Sequence, residues 1–351
     1  MSQSKIRLKT GWQTIESKPI WQKFLQDNPQ LEINLTNNFN WGICHQKLGQ
    51  TVHVRVYVDS KGQLTAGYIA VLEIAKAYSF LAITSGPLLD WSNQRIIKSF
   101  VSDAKKIAQK HKCHFVRIRP IIEDNPKIRQ ALEAVGFTKA PMHLAVEVTG
   151  FLDLSLDDQT LRKNMSPSLK RKINKARRDD KIEIKISDSK KDADIFAQVH
   201  QEHALMKNYK PFSKARIIRQ FETYVKDNQV LIYMAFRDGQ LLAANMMFFC
   251  GQEASYYWGV STELGHQYSS APLLHLEAIA EAKKRNLQSY NFWGIVGVDQ
   301  VKHRYFGLSQ FKRSFGVIER VYVPTHDLPV KKGAYVLIKL FEMLRHRRRH
   351  L

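Results

Sequence analysis

Alternating apolar and polar residues mark several stretches of the chain as β-strands, and apolar residues at helical spacing separate them. Residues 51–58 alternate with a period of two, the pattern of a half-buried strand. Asp59-Ser60-Lys61-Gly62 is a typical turn before the next strand, and Ser85-Gly86-Pro87 ends the third. The first half is predicted to contain a helix over 17–26, strands over 51–58, 63–74 and 78–84, a helix over 93–110, a strand over 113–118 and a helix over 126–135.

The second half repeats this order. Its predicted elements are strands over 230–236, 240–249 and 255–260, a helix over 271–285 and a strand over 289–293. Gly-Gln-Leu occurs at 62–64 and at 239–241, an offset of 239 − 62 = 177, and Ala-Lys-Lys recurs at a nearly equal offset, 282 − 104 = 178. The two copies predict an internal duplication.

Antiparallel strands followed by a helix and one more strand are typical of an α/β (α+β) N-acyltransferase unit, whereas a doubly wound fold alternates strand and helix throughout. We therefore predict two tandem domains of the GNAT type, over 1–150 and 151–330, and a C-terminal helix with a basic tail over 331–351. Acyl-CoA enzymes hold a pyrophosphate on a glycine-rich loop before the helix. Neither 84–90 nor 261–270 has that pattern, so the CoA site is expected to be lost.

The charge is the unusual property of the composition. Lys and Arg total 54 against 32 acids, a formal charge of +22, which indicates an anionic partner: nucleic acid, anionic lipid or a polyphosphate substrate. The three separated cysteines, Cys44, Cys113 and Cys250, argue against disulfides or a zinc site and for a reducing compartment. The chain shows no signal-peptide pattern and no apolar run of about 20 residues, so a cytoplasmic protein is expected.

Three basic stretches are candidate contacts for such a partner. Residues 166–178 predict a capped helix with basic faces, suited to phosphate contacts or to plain solvation. The loop over 207–216 interleaves basic and aromatic residues and predicts either a phosphate grip or a simple helix connection. A mostly apolar helix over 334–344 lies between Lys331-Lys332 and a basic tail. It predicts packing on its domain, with attraction to an anionic membrane surface in addition, and the tail suits RNA equally.

The most distinctive stretch is near the end of the chain. Residues 289–295 predict a buried strand that ends at a glycine, and residues 307–316 predict a short turn that presents Lys312 between Phe311 and Phe315. A lysine held there can place positive charge where negative charge develops in a reaction. The alternative is a surface lysine beside two core rings. No zincin motif, Gly-x-Ser-x-Gly or Walker A sequence occurs, so neither a metal nor a protein nucleophile is predicted.

Together these pieces resemble the Fem family of aminoacyl-tRNA-dependent peptidyltransferases, which build the side branches of peptidoglycan stems. The resemblance covers nearly the whole chain, and the stretches that carry it are Ser85-Gly86-Pro87-Leu88-Leu89-Asp90, 167–178, Tyr256-Tyr257-Trp258-Gly259, Ala271-Pro272-Leu273-Leu274, Phe292-Trp293-Gly294-Ile295 and Phe311-Lys312-Arg313-Ser314-Phe315-Gly316. It implies tandem GNAT-like domains, no cofactor besides the aminoacyl-tRNA donor, and an acceptor amine on a peptidoglycan precursor, either UDP-MurNAc-peptide or lipid II. Residues 196–230 leave no room for the coiled-coil helical arm of some members.

The resemblance also implies roles for single residues. Lys312 would offer its charge to the oxyanion or to the leaving ribose oxygen. Tyr257 matches a tyrosine that lines the acceptor site, and Lys214 is near the position of a phosphate-binding arginine. Phe311, Arg313 and Arg119 complete the predicted substrate-binding set.

Departures from the family pattern concern the same region. Arg119 stands where the family often has an aspartate before proline, Asn291 replaces another aspartate, and Val317 replaces a glycine. Two other classes of function stay open: an acyl-CoA-dependent N-acyltransferase acting on a sugar or peptide amine, and a non-catalytic protein that binds RNA or a membrane. The basic surface further predicts peripheral contact with the inner face of the membrane.

Overall fold

The structure, a computed structural model, describes residues 8–206 and 210–348. These residues form two units. The first contains residues 8–32, 36–147 and 321–348, and the second contains 33–35, 148–206 and 210–320.

Ten elements lie before residue 148, and they belong to the first unit. They are β1 (Gly11–Thr14), α1 (Lys18–Asp27), α2 (Phe39–Lys47), β2 (Val52–Val58), β3 (Leu64–Ile74), β4 (Ser79–Ile83), α3 (Gln94–Lys110), β5 (Phe115–Ile118), α4 (Pro126–Ala134) and β6 (Thr138–Lys139). The predicted strands and helices of this half are confirmed to within about two residues, and α2 is an element that the periodicity did not indicate.

The second unit is built from the elements that follow. They are β7 (Val148–Asp153), α5 (Asp158–Asn164), α6 (Pro167–Arg177), β8 (Ile182–Ser187), α7 (Lys190–Met206), α8 (Lys214–Tyr224), β9 (Val230–Arg237), β10 (Gln240–Cys250), β11 (Glu253–Ser261), α9 (Glu263–Tyr268), α10 (Ala271–Lys284), β12 (Ser289–Gly294), α11 (Phe306–Arg313) and β13 (Ile318–Val321). The chain then returns to the first unit as β14 (His326–Pro329) and α12 (Lys332–Arg348).

Each unit contains one seven-stranded sheet, and the two sheets have corresponding strand orders. The first runs β1-β2-β3-β4-β5-β14-β6 and the second runs, from its other end, β8-β9-β10-β11-β12-β7-β13. In both, three antiparallel strands lead to a parallel pair, β4 with β5 and β11 with β12. The same order in both sheets confirms the predicted duplication and the tandem α/β fold.

The strand beside each parallel pair comes from a distant part of the chain. β14 pairs with β5 in the first sheet, and β7, which precedes the second unit's other strands, pairs with β12. The predicted boundaries therefore differ from the observed units: residues 321–330 and the C-terminal helix belong to the first unit. The C-terminal helix also extends beyond its predicted end at residue 344, because residues 345–348 are helical.

A buried ion cluster ties the returning segment to the first sheet. Arg117 on β5 donates to both carboxylate oxygens of Asp327 on β14, at 2.7 and 2.8 Å, and to Oε2 of Glu342 on α12, at 2.6 Å. Tyr335 donates to Asp327 and Tyr78 donates to Glu342. All carboxylate and guanidinium groups of the cluster are thus paired, as buried charges require.

In the described residues, no helix has the length and apolar character needed to cross a bilayer.

We expect Asp327→Asn to destabilise the protein by about 3 kcal/mol, because it leaves part of a buried guanidinium charge uncompensated. Guanidinium chloride unfolding measures the change. Asp27→Asn, which removes one partner of the exposed Lys23–Asp27 pair, is the control and should change stability by less than about 1 kcal/mol. Equal effects of the two substitutions would contradict the structural role of the cluster.

Candidate active site

The two parallel strands of the second sheet separate halfway along their length. β11 and β12 are in register only at Glu253↔Ser289, Ala254↔Tyr290 and Ser255↔Asn291. Beyond Ser255, β11 continues without β12 beside it. The equivalent strands of the first unit, β4 and β5, stay paired through four residues up to Ile83↔Ile118. Where two strands separate, their backbone N–H and C=O groups no longer form hydrogen bonds with each other. This end of the second sheet can therefore bind a ligand.

A hydrogen-bonded bulge shapes the end of β12. Trp293 has a φ of +63°, a left-handed conformation that is rare for a residue other than glycine. The Asn291 Oδ1 atom accepts a 2.7 Å hydrogen bond from the Trp293 backbone N–H, and the Asn291 Nδ2 atom donates to Glu253 Oε2 at 3.0 Å. Asn291 therefore uses both ends of its amide. An ionised aspartate here could not donate to Glu253, so this pair of hydrogen bonds requires the asparagine.

Lys312 lies in the last turn of α11 and is buried. Its Nζ atom donates a 2.7 Å hydrogen bond to the carbonyl oxygen of Gly294, the residue that follows the bulge. Only 5% of Lys312 is exposed, and burial lowers its pKa to about 7. The Tyr256 ring centroid lies 5.7 Å from Nζ. The alternative of a surface lysine is therefore wrong.

The turn predicted over 307–316 is also wrong, because Phe306–Arg313 form a helix. The rings of Phe311, in α11, and Phe315, just after it, pack with their centroids 5.4 Å apart. The chain turns only after the helix, at Gly316, whose φ is +79°. A Cβ there would lie 2.6 Å from the carbonyl oxygen of Asn164, so α11 ends against the α5–α6 corner.

Arg313 supports the backbone around Lys312. Its Nη2 atom donates to the Val296 carbonyl at 2.6 Å, and its Nε atom donates to Glu319 at 2.6 Å. Ser309, on the same helix, accepts from the Val296 N–H at 3.0 Å. These bonds fix the segment after Gly294, and they give Arg313 and Ser309 a positioning contact with it.

A buried histidine that the sequence did not single out lies next to the lysine. His275 on α10 is fully buried, and the rings of five aromatic residues surround it: Tyr256, Tyr290, Phe292, Phe311 and Phe315. Its Nδ1 atom and the Tyr290 hydroxyl are 2.7 Å apart. Burial, and next the charge of Lys312, lower the pKa of His275 to about 3. His275 is therefore neutral at physiological pH.

Tyr257 occupies a bulge in β11. Met246 pairs with Trp258 and Met247 with Tyr256, so Tyr257 is the extra residue on its strand. Its ring meets the Trp293 ring edge-on at 5.0 Å. Tyr257 is thus joined through Trp293 to the bulge that places the Gly294 carbonyl. Tyr256, whose ring centroid lies 5.7 Å from the Lys312 Nζ atom, was missed because two adjacent tyrosines give no sequence signal for which one approaches the lysine.

Two predicted residues are not brought to Lys312 by any described contact. Lys214 is exposed at the first position of α8. Arg119 follows β5 in the first unit, is 1% exposed, and stacks on the Tyr322 ring at 5.0 Å. Their substrate-binding roles stay predictions. Of the basic loop over 207–216, residues 207–209 lie outside the described part of the chain. Within that part, no group of three or more His, Cys, Asp and Glu side chains could hold a metal ion.

The loop that would hold a CoA pyrophosphate is bonded internally. The Thr262 hydroxyl accepts from the Gly265 N–H at 3.0 Å, and a Cβ on Gly265 would lie 2.0 Å from the Leu242 carbonyl oxygen. The segment therefore packs closely on β10. In the first unit, the corresponding segment over 84–90 is bonded to β3, because Leu88 exchanges two 2.9 Å backbone hydrogen bonds with Gly67.

We expect His275→Phe to reduce the acid sensitivity of the fold. The folded pKa of about 3 lies below the unfolded value of 6.5, so the stability that neutral His275 contributes is complete above pH 6.5. It is lost as the pH falls toward 3, by at most about 1.4 kcal/mol per pH unit.

Guanidinium chloride unfolding between pH 6.5 and 4 measures that slope. If phenylalanine packs less well than histidine, the unfolding free energy falls by the same amount at every pH, so its slope against pH is unchanged. His266→Phe, at an exposed position, is the matched control. A slope that is the same in the wild type and His275→Phe would contradict the burial of a neutral histidine.

Comparison with known proteins agrees with this architecture. The FemAB family model matches residues 17–235 and 171–343. An aminoacyltransferase FemB of Staphylococcus epidermidis is 20% identical over 93% of this chain and 97% of its own length. A second FemB sequence from that species is 20% identical over 85% of this chain and 90% of its own.

Solved structures share the fold. The crystal structure of FemX matches with a TM-score of 0.82 at 14% identity, covering 94% of this chain and all of its own. A tandem GNAT protein from the clavulanic acid biosynthesis pathway matches with a TM-score of 0.59 at 12% identity, over 92% and 99% of the two chains. The predicted tandem GNAT-like fold is confirmed. The match of the family model over most of the length shows that the chain belongs to the FemAB family and is an aminoacyltransferase.

Proposed function

We propose that this aminoacyltransferase moves an amino acid from aminoacyl-tRNA to the amine of a peptidoglycan precursor stem peptide in the cytoplasm, with no cofactor besides the donor. The acceptor is UDP-MurNAc-peptide or lipid II, and the product builds the interpeptide bridge. The observation that carries the proposal is the buried Lys312, hydrogen-bonded to Gly294 where β11 and β12 have separated, in a chain of the FemAB family.

The reaction needs a positively charged group that stabilises an oxyanion, and it needs no protein nucleophile because the acceptor amine is the nucleophile. The acceptor amine attacks the ester carbonyl, a tetrahedral oxyanion forms, and the carbon–oxygen bond to the ribose breaks. The amine loses a proton and the ribose oxygen gains one, so the products are an amide and a free hydroxyl. Lys312 keeps N–H groups besides the one bonded to Gly294, and its pKa of about 7 lets it donate a proton at neutral pH. It can therefore stabilise the oxyanion or protonate the leaving oxygen.

A basic surface on α6 supports an RNA donor. Arg171, Lys172, Lys175, Arg177 and Arg178 are exposed, and none of them forms an ion pair with a described carboxylate. The Ser166 N–H, at the start of this helix, donates to the Ser314 carbonyl at the end of α11, at 2.8 Å. The basic helix thus begins where the helix of Lys312 ends. Phosphate groups bound along α6 would lead toward the candidate active site.

The acyl-CoA alternative has less support. The Gly265 N–H is already bonded to Thr262, and Gly265 packs against the Leu242 carbonyl, whereas pyrophosphate binding needs free N–H groups. A CoA titration followed by calorimetry discriminates the two reactions.

We expect Lys312→Met to lower the rate of transfer about 100- to 1000-fold, the usual loss when an oxyanion donor is removed. Methionine fills a similar volume without a charge, so the variant should fold. Transfer of a labelled amino acid from charged tRNA to UDP-MurNAc-peptide and to lipid II measures the rate.

Lys226→Met, at an exposed lysine of the same unit, is the control and should retain the wild-type rate. Full activity in Lys312→Met would remove Lys312 from the mechanism. Absence of transfer from every charged tRNA would refute the proposed reaction itself.

We also expect the triple substitution Arg171→Gln, Lys175→Gln and Arg178→Gln to weaken tRNA binding and to flatten its salt dependence. Each lost phosphate contact lowers the slope of log K against log salt by about 0.7 to 0.9. Filter binding over a salt series measures both quantities. The control neutralises three exposed cations of α3, Arg95, Lys98 and Lys106, and has the same net charge. Identical salt slopes for the two triple variants would exclude α6 as the RNA contact.

A further inference from the structure

Helix α12 packs on the first unit through a narrow side and leaves a wide apolar face uncovered. Tyr335 and Glu342, seven residues apart, are its buried contacts. Six large apolar side chains of the same helix are exposed, between 41% and 71%: Val336, Leu337, Leu340, Phe341, Met343 and Leu344. At about 3.6 residues per turn, these six positions fall on one side of the helix. The predicted packing on the domain therefore accounts for only part of the apolar character of α12.

The described exposed charges of α12 itself have a single sign. Glu342 is the only acid in α12, and it is turned inward to Arg117 and Tyr78. Lys332 and Arg345 are exposed, and Lys339 is half-buried. The outer surface of α12 thus offers apolar side chains and cations, without an exposed carboxylate of its own.

An apolar groove continues this surface. It has a volume of about 650 Å³ and lies between α12 and the residues around β14, where Leu328, Pro329, Leu340 and Met343 are among its walls. Lys105, Lys332 and Lys339 also line it, and no carboxylate does. A groove of this composition suits an acyl chain whose anionic headgroup meets the lysines.

We propose that the exposed face of α12, with its adjoining groove, docks the protein on an anionic lipid bilayer surface. Burying the six apolar side chains in the interface supplies hydrophobic attraction, and the flanking cations select anionic headgroups. A second copy of the chain fits less well, because two such faces would bring cations of the same sign together without opposing carboxylates.

Docking has a consequence for the acceptor, which rests on the proposed function. A protein held at the bilayer meets a lipid-linked precursor at a high local concentration, whereas a soluble precursor gains nothing from it. The docking itself does not depend on catalysis and can be tested without a charged tRNA.

The test is co-sedimentation of the full chain with phosphatidylcholine vesicles that contain or lack phosphatidylglycerol. We expect binding to the anionic vesicles, and Leu337→Glu with Phe341→Glu should lower the partition coefficient at least ~100-fold, since each buried side chain contributes about tenfold or more. Lys332→Gln with Lys339→Gln should lower it about fivefold per charge on anionic vesicles only.

Ile186→Glu, an exposed apolar residue on β8 of the second unit, is the matched control and should bind as the wild type does. All substituted side chains are exposed or half-buried, so the melting temperature should not change, and circular dichroism checks the fold.

Failure of the wild type to bind anionic vesicles, or wild-type binding by Leu337→Glu with Phe341→Glu, overturns the proposal. A dimer in sedimentation equilibrium that the same variant abolishes, without vesicle binding by the wild type, also overturns it and assigns the face to a second copy. Transfer to a soluble precursor should be unaffected by the double variant, while transfer to a vesicle-bound precursor should fall. If the wild-type protein binds vesicles but transfers no amino acid to either precursor, the proposed function is refuted and the docking proposal is supported.

Discussion

The candidate active site is built around the hydrogen bond from the Lys312 ammonium to the Gly294 carbonyl. Burying an ammonium group costs free energy unless a polar group accepts its hydrogen bonds. The Gly294 carbonyl accepts one, directly after Trp293, whose φ is positive. Asn291 holds that conformation, and Glu253 holds Asn291. The chain of contacts therefore runs from the paired part of β11 and β12 to the lysine. The same burial that lowers the pKa of Lys312 keeps His275 neutral beside it.

Local periodicity predicted most of the fold, because the core strands and the longer helices bury one face each. The strands that complete the sheets were not predictable in the same way. β14 has four residues, and two of its buried side chains, His326 and Asp327, are polar, so no apolar alternation marks it. Its partner β5 is joined to it through the ion pair of Arg117. β5 and β14 are far apart in the sequence, and their pairing depends on the folded sheet. It therefore leaves no pattern in the local sequence.

The candidate site was predictable in its central residue and less so in its surroundings. Lys312 stood out through the Phe-Lys-Arg-Ser-Phe-Gly motif, but Gly307 and Gly316 suggested a turn although only Gly316 makes one. His275 lies in an apolar helix, where a single histidine resembles any core position. Its aromatic surroundings come from β11, β12 and α11, and only the fold brings them together.

The surplus of positive charge is distributed in a way that composition could not indicate. Several acids are buried together with their arginine partners, such as Asp103 with Arg55 and Glu342 with Arg117, so the surplus of cations remains at the surface. On α6 the apolar residues Leu169, Ile173 and Ala176 face the core, and the outer surface is charged. On α12 the cations accompany exposed apolar side chains. A polyanion such as RNA needs only a charged surface, as on α6. A bilayer binds an apolar and basic surface, as on α12, more strongly because apolar burial adds to charge attraction. The two surfaces of one basic protein thus differ in the kind of attraction that each offers to an anionic partner.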